Sequence, residues 1–262
     1  MIRILLISCL VACSGKNTDL TDTGDTDTDS AQDTDTAQDT DTDTDTDTDT
    51  DTDTDTDTDT DTAPPDFPDI TGDCDVLDSE LSDSSPHAFA TTVDFLEAGF
   101  DELYLSEGGV EILNTDNAGG SSIYSEVFAY ELLFHCEDAQ LLKTETEITY
   151  QNAQGKITDI LVEIDSLKIG VSVTRAYVYP PDTPYTADLA EELLTKKLNG
   201  IQESSANVTE EDAWEKQILY VLAYTSEHTN QVLNVFESLD ANLKADTILL
   251  VATTEGEDEF LY

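Results

Sequence analysis

The stretch Lys156–Tyr177, KITDILVEIDSLKIGVSVTRAY, gathers the side chains best spaced for chemistry. Read with a period of two on either side of Asp165-Ser166, it predicts a hairpin. Ile160, Val162 and Ile164 share one face of its first strand, and Asp159, Leu161 and Glu163 share the other. The second strand turns Ile169, Val171 and Val173 inward and sends Lys168, Gly170, Ser172 and Thr174 to the opposite face. Asp159 therefore shares a surface with Ser172 and Thr174. One carboxylate and two hydroxyls form the wall of a candidate site. Gly170-Val-Ser172-Val-Thr174 falls short of the Gly-x-Ser-x-Gly nucleophile elbow, lacking the closing Gly and an immediate helix, so a serine hydrolase is disfavoured. His87, His135 and His228 stand far apart, and no Cys or His spacing points to zinc.

The flanking elements must hold this wall in place. A helix is expected from Ser122 to about Cys136, burying Ile123, Val127, Tyr130 and Leu133/Phe134. Lys143–Tyr150 reads as a strand, turned into the hairpin by Asn152–Gly155. After the Pro180–Pro184 loop, Thr186 caps a helix with Asp188, Glu191 and Glu192 early and Lys196 and Lys197 late, a distribution that suits the macrodipole. Asn199-Gly200 is its expected end. Thr209 and Asp212 frame a short helix through Lys216, and Ile218–Thr225 is a strand. Ser226 caps a helix to about Leu243, and Thr247–Thr253 is an apolar strand buried on both faces. Upstream, a short helix over Thr92–Ala98 precedes a hairpin pairing Glu102–Leu105 with Val110–Leu113 across Gly108-Gly109. The loop Asn114–Gly119 begins like a calcium loop but has Ser125 at its twelfth position, so it reads as a turn. Strand–helix–strand order implies right-handed crossovers, and the whole predicts an α/β sandwich.

From Ser121 to roughly Thr254 this order resembles the PD-(D/E)xK nuclease superfamily, the restriction-endonuclease-like fold. There an Asp-bearing strand is followed by one carrying Glu-x-Lys, often after a helix with a Glu. Asp159 matches the Asp, and Glu126 with Ala129, Leu132 and Leu133 matches the helix. Ser172-Val173-Thr174 occupies the Glu-x-Lys slot, so the two most diagnostic residues are absent. The resemblance implies a mixed central sheet flanked by helices. It also implies a Mg or Mn ion held by Glu126 and Asp159 that activates water. A hydroxyl at Ser172 would weaken such a site, and Lys196 or Lys197 from the following helix could replace the missing ammonium. Glu163 could lend a further oxygen, whereas Arg175 faces away. Each residue also has a plain structural reading: Ser172 and Thr174 as strand residues, the lysines as helix-end charges, Glu126 as a first-turn acid, Asp159 as a strand start.

The N-terminal part tells of export. Met1–Ala12 is a signal peptide with Arg3 and a short apolar run, and Leu10-Val11-Ala12-Cys13 resembles the bacterial lipobox. That implies lipidation of Cys13, with Ser14 directing the protein to the outer membrane, where it faces the periplasm or the cell surface. Residues 13–62 form an expected disordered acidic stalk, ending in an unbroken Asp-Thr repeat from Asp39 to Thr62. Its reach is at most roughly 165 Å, from about 50 residues at ~3.3 Å each. Residues 63–120 and 121–262 are read as the N-terminal part and the α/β core of one folded domain. Residues 1–62 hold 19 of the 59 acids and two of the ten bases, leaving 40 acids and eight bases, a net of −32, for the remainder. That field repels phosphate backbones and disfavours a nucleic-acid partner. Cys74 and Cys136 are either a disulfide, the default in an exported protein, or two unpaired thiols.

Three functions fit these residues. The first is a lipid-anchored module with a degenerate nuclease-like domain that binds an unknown ligand. The second is an active metal-dependent nuclease with a relocated Lys. The third is a purely structural stalked lipoprotein.

Overall fold

The computed structural model describes residues 67–116 and 122–262. The signal segment, Cys13, the Asp-Thr stretch and residues 117–119 of the Asn114–Gly119 loop lie outside the described residues. Within them, the chain forms an α/β fold with a mixed seven-stranded sheet flanked by helices. The strands are β1 (Asp69–Gly72), β2 (His87–Asp94), β3 (Gln140–Thr144), β4 (Ile160–Ile164), β5 (Leu167–Ala176), β6 (Lys216–Ala223) and β7 (Ile248–Glu255). They lie in the order β1-β2-β7-β6-β5-β4-β3. Strands β2, β7, β6 and β5 run parallel, and antiparallel pairs close both edges. The helices are α1 (Glu107–Asn114), α2 (Ile123–Glu137), α3 (Ala187–Asn207), α4 (Ser226–Ser238) and α5 (Ala241–Lys244). Among the described residues, no helix is long and apolar enough to cross a membrane.

The hairpin forms at the expected register, with Ile160 opposite Val171 and Ile164 opposite Leu167. Asp165 and Ser166 adopt φ of 51° and 66°. Two successive left-handed residues twist a two-residue turn in the same sense as its strands. Ile160, Val162, Ile169, Val171 and Val173 enter the core beneath α2, where Phe128, Leu132 and Leu133 meet them. On the other face, α3 and α4 bring Leu194, Leu198, Val232 and Phe236 against Leu219, Val221, Leu249 and Val251. Strands β6 and β7 are thus apolar on both faces, as parallel strands under helices must be.

The structure corrects several expectations. The residues Thr92–Ala98 are not a helix: Thr92 and Val93 belong to β2, whose alternating, β-branched run pairs in parallel with β7. The hairpin expected across Gly108-Gly109 is instead α1. Ser106 Oγ accepts from the Gly109 N–H at 3.1 Å, capping the helix. Its two glycines lie so close to the Tyr130 ring and the Glu131 carboxylate that a Cβ at either would collide with them. Packing therefore favours glycine in this helix, against its ~1 kcal/mol propensity cost. Strand β3 stops at Thr144, because the Glu147 carboxylate accepts from the Thr144 N–H (2.9 Å) and hydroxyl (3.0 Å) and closes a turn. Helix α3 runs through Gly200 to Asn207, since the burial of Ile201, which contributes roughly 1.5–3 kcal/mol, outweighs that glycine's cost. No helix spans Thr209–Lys216: a turn leads into β6 at Lys216. Thr225, rather than Ser226, caps α4, which ends at Ser238 instead of running on to Leu243.

Candidate functional site

Asp159 stands one residue before β4, where its N–H donates to the Val171 carbonyl at 3.2 Å. Because Ile160 points into the α2 core, Asp159 points to the α3 face. There its Oδ2 accepts from the Val173 N–H at 2.6 Å and from Ser172 Oγ at 3.1 Å. Lys197 Nζ reaches down from α3 and donates to the Val173 carbonyl. Asp159 and Lys197 thus bond the N–H and the carbonyl of one residue of β5, Val173, with Ser172 beside it on Asp159. Lys196 is exposed beside them on α3.

The other predicted residues go elsewhere. Glu126 belongs to α2, against the opposite face of the sheet, and is 4% exposed, accepting from Ser122 Oγ at 2.9 Å. Glu163 is four residues along β4, roughly 13 Å from Asp159 at ~3.3 Å per residue, and pairs in register with Gln140 and Lys168. Thr174 lies on the wall of a separate cleft beside Arg175. A metal fits this arrangement poorly: among the described residues, no three His, Cys, Asp or Glu side chains gather to hold an ion. The two carboxylates expected to share one lie on opposite faces of the sheet, and a single carboxylate is a weak seat for Mg²⁺.

Cys74 and Cys136 form a disulfide with their Cα atoms 4.8 Å apart. Next to it, Glu137 accepts from the N–H groups of Val76 and Leu77, both at 3.1 Å, tying the N-terminal segment to the end of α2. Burial pushes the Glu137 carboxyl above its ordinary range, against the pull of those amides.

Two features escaped the sequence reading. Lys143 Nζ lies 2.6 Å from Asp212 Oδ1. Asp212 Oδ2 also accepts from the Thr149 N–H (2.8 Å) and hydroxyl (2.6 Å). Burial works to raise the Asp212 carboxyl, but Lys143 and Thr149 together hold it below its ordinary range. The second feature is the cleft beside Arg175, about 660 Å³, at the carboxyl end of β5. Tyr124, Tyr177, Phe260 and Tyr262 line it, from three separate segments. A wider depression of about 750 Å³ beside α1 and α2 is walled largely by apolar groups such as Tyr104, Leu105, Val110 and Phe134.

No family model matches the chain. The AAC-rich mRNA clone AAC4 protein of Dictyostelium discoideum is 40% identical over 167 residues, 62% of this chain and 24% of that protein. The chain thus spans about a quarter of that relative's length. Among solved structures, Pyrococcus furiosus SfsA in complex with Ca²⁺ is similar at 12% identity. That match covers 51% of this chain and 56% of the other, with a TM-score of 0.25. Neither match assigns a family or a site.

Proposed function

We propose that the chain is an exported protein, lipid-anchored at Cys13 on the outer membrane, whose folded domain resembles a degenerate nuclease and binds a ligand without cutting it. The observation that carries this reading is the commitment of Asp159. Its Oδ2 accepts from Val173 N–H and Ser172 Oγ, so the carboxylate is anchored to the hairpin that carries it by one of its two oxygens. Two-carboxylate metal chemistry needs a second acid on the same face, and Glu126 lies across the sheet. The −32 charge of residues 63–262 argues in the same direction by repelling phosphate backbones.

The test is calorimetric titration of the full chain with Mg²⁺ and Mn²⁺, repeated on Asp159→Ala, beside an incubation with single- and double-stranded DNA and RNA. We expect no metal binding that depends on Asp159 and no cleavage. Cleavage lost in Asp159→Ala would overturn the reading and install the alternative, a metal-dependent nuclease with a relocated Lys. The contact of Lys197 Nζ with the Val173 carbonyl is what favours that alternative. Lipidation is tested separately: the chain is expected in the membrane fraction and Cys13→Ser in the soluble one, and equal partition of the two would remove the anchor.

A further inference from the structure

Arg175 is the single arginine of residues 63–262, in a sequence whose acids outnumber its bases five to one. The ion pairs among the described residues are His87–Asp83, His135–Glu131, Lys143–Asp212 and Lys216–Asp246, so Arg175 has no carboxylate partner there. One of its terminal nitrogens, Nη1, donates to the Leu261 carbonyl at 2.6 Å, which fixes the plane of the guanidinium. The Nε–H and Nη2–H edge remains, a two-donor fork whose geometry matches a carboxylate.

The surroundings of this fork are aromatic. Tyr177 and Tyr262 lie with ring centroids 5.0 Å apart, and Tyr224 backs both at 5.3 and 5.1 Å. The Tyr262 hydroxyl lies 2.7 Å from Thr254 Oγ1, which in turn donates to Asp258 Oδ2 at 2.5 Å. Burial is the main cause that raises the Tyr262 hydroxyl far above its ordinary range, so it stays neutral. Tyr124, in the first turn of α2, forms the opposite wall with Phe260, and the positive end of that helix lies at the rim. The cleft opens at the carboxyl end of a parallel strand, where open α/β sheets receive ligands. Its volume, about 660 Å³, is that of a small-molecule site.

We propose that this cleft binds one carboxylate carried on a sugar ring, as in a hexuronic acid, with Arg175 gripping the carboxylate and the tyrosines packing on the flat face of the ring. A single positive group within a strongly negative domain selects a single negative charge; polyanions and phosphate dianions meet the repulsion of the whole domain. The aromatic walls supply contact area that an inorganic anion cannot use. This deepens the binding reading above and rests on it.

The experiment is calorimetric titration of the full chain with galacturonate, glucuronate and digalacturonate, against galactose and inorganic phosphate. Saturable binding of the uronates, with galactose and phosphate at least about tenfold weaker, is the expected result. Arg175→Gln should lower uronate affinity at least about tenfold, and Arg175→Lys, which keeps the charge but not the fork, should fall between. Tyr177→Ala should also weaken binding, and it keeps the test decisive if an arginine variant fails to fold. Digalacturonate, which carries a second negative charge into the field of the domain, should bind more weakly than galacturonate, and tighter binding of digalacturonate would overturn the single-charge selection. The proposal falls if no uronate binds at millimolar concentration, if galactose binds as well as galacturonate, or if neither substitution changes affinity. None of these outcomes touches the Asp159 test, and Asp159-dependent cleavage with uronate binding intact would break only the broader reading.

Discussion

The corner at Asp159 and the cleft at Arg175 lie on opposite faces of one strand, β5, yet treat their charges oppositely. At Asp159 the carboxylate is turned inward onto the hairpin and takes up two donors from it. At Arg175 the guanidinium is held by one carbonyl, on the lining of an open cleft. A charge bonded twice to its own hairpin is a strut. A charge fixed in place and left short of partners is a receptor. Resemblance to a catalytic family points to the first position, and the larger number of donors left without a partner in the fold points to the second.

The comparison breaks first on stability. The Lys143–Asp212–Thr149 cluster is a second strut, and Asp212→Ala should cost about 3 kcal/mol by stranding a partly buried ammonium and the Thr149 donors; thermal unfolding measures it. The same cluster sets an acid limit. Because the folded Asp212 carboxyl lies below its unfolded value of about 3.9, its contribution is complete above that pH and is lost as pH falls through the folded value. Asp212→Asn should therefore lose less stability than the parent between about pH 5 and pH 2. Asp159→Ala should cost about 2 kcal/mol, since it leaves the Val173 N–H and the buried Ser172 hydroxyl without their acceptor. Arg175→Gln should cost under about 1 kcal/mol, since only one neutral acceptor loses its donor. A reversed order, with Arg175 costing more than Asp159, would make the cleft the strut and the corner the receptor.

Much of the fold could be read from the chain, and the reason lies in periodicity. Strands β4 to β7 carry apolar patterns long enough to specify their type and form near where those patterns place them. Helix α2 forms where expected but is buried all round from Ser125 to Leu133, not along the single stripe of Ile123, Val127, Tyr130 and Leu133/Phe134. Helix α1 could not be read, because the sequence Glu107-Gly-Gly-Val signals a turn unless Tyr130 and Glu131 are known to lie against the glycines. The end of α3 failed for a related reason: Gly200 is a stop signal locally, and only the burial of Ile201 and Ser204 carries the helix past it. The alternation that put Asp159 and Ser172 on one face is a local property and was visible. The same alternation sends Arg175 to the other face, where the sequence offered it no role. Its neighbours there arrive from α2 and from the C-terminal segment, more than 50 and more than 80 residues away along the chain, and no pattern in the sequence links them.

The disulfide has a mechanical consequence. A pull on the chain at Phe67 is met first by β1, a four-residue strand on the sheet edge. Peeling it away would release the backbone only as far as Cys74, about 24 Å of slack at ~3.4 Å per residue. At Cys74 the tension passes through the sulfur bridge into Cys136, and so into the helix packed over the middle of the sheet. Drag or shear at that end of the domain would thus stretch a short spring and then load the core through the helix whose first turn walls the Arg175 cleft.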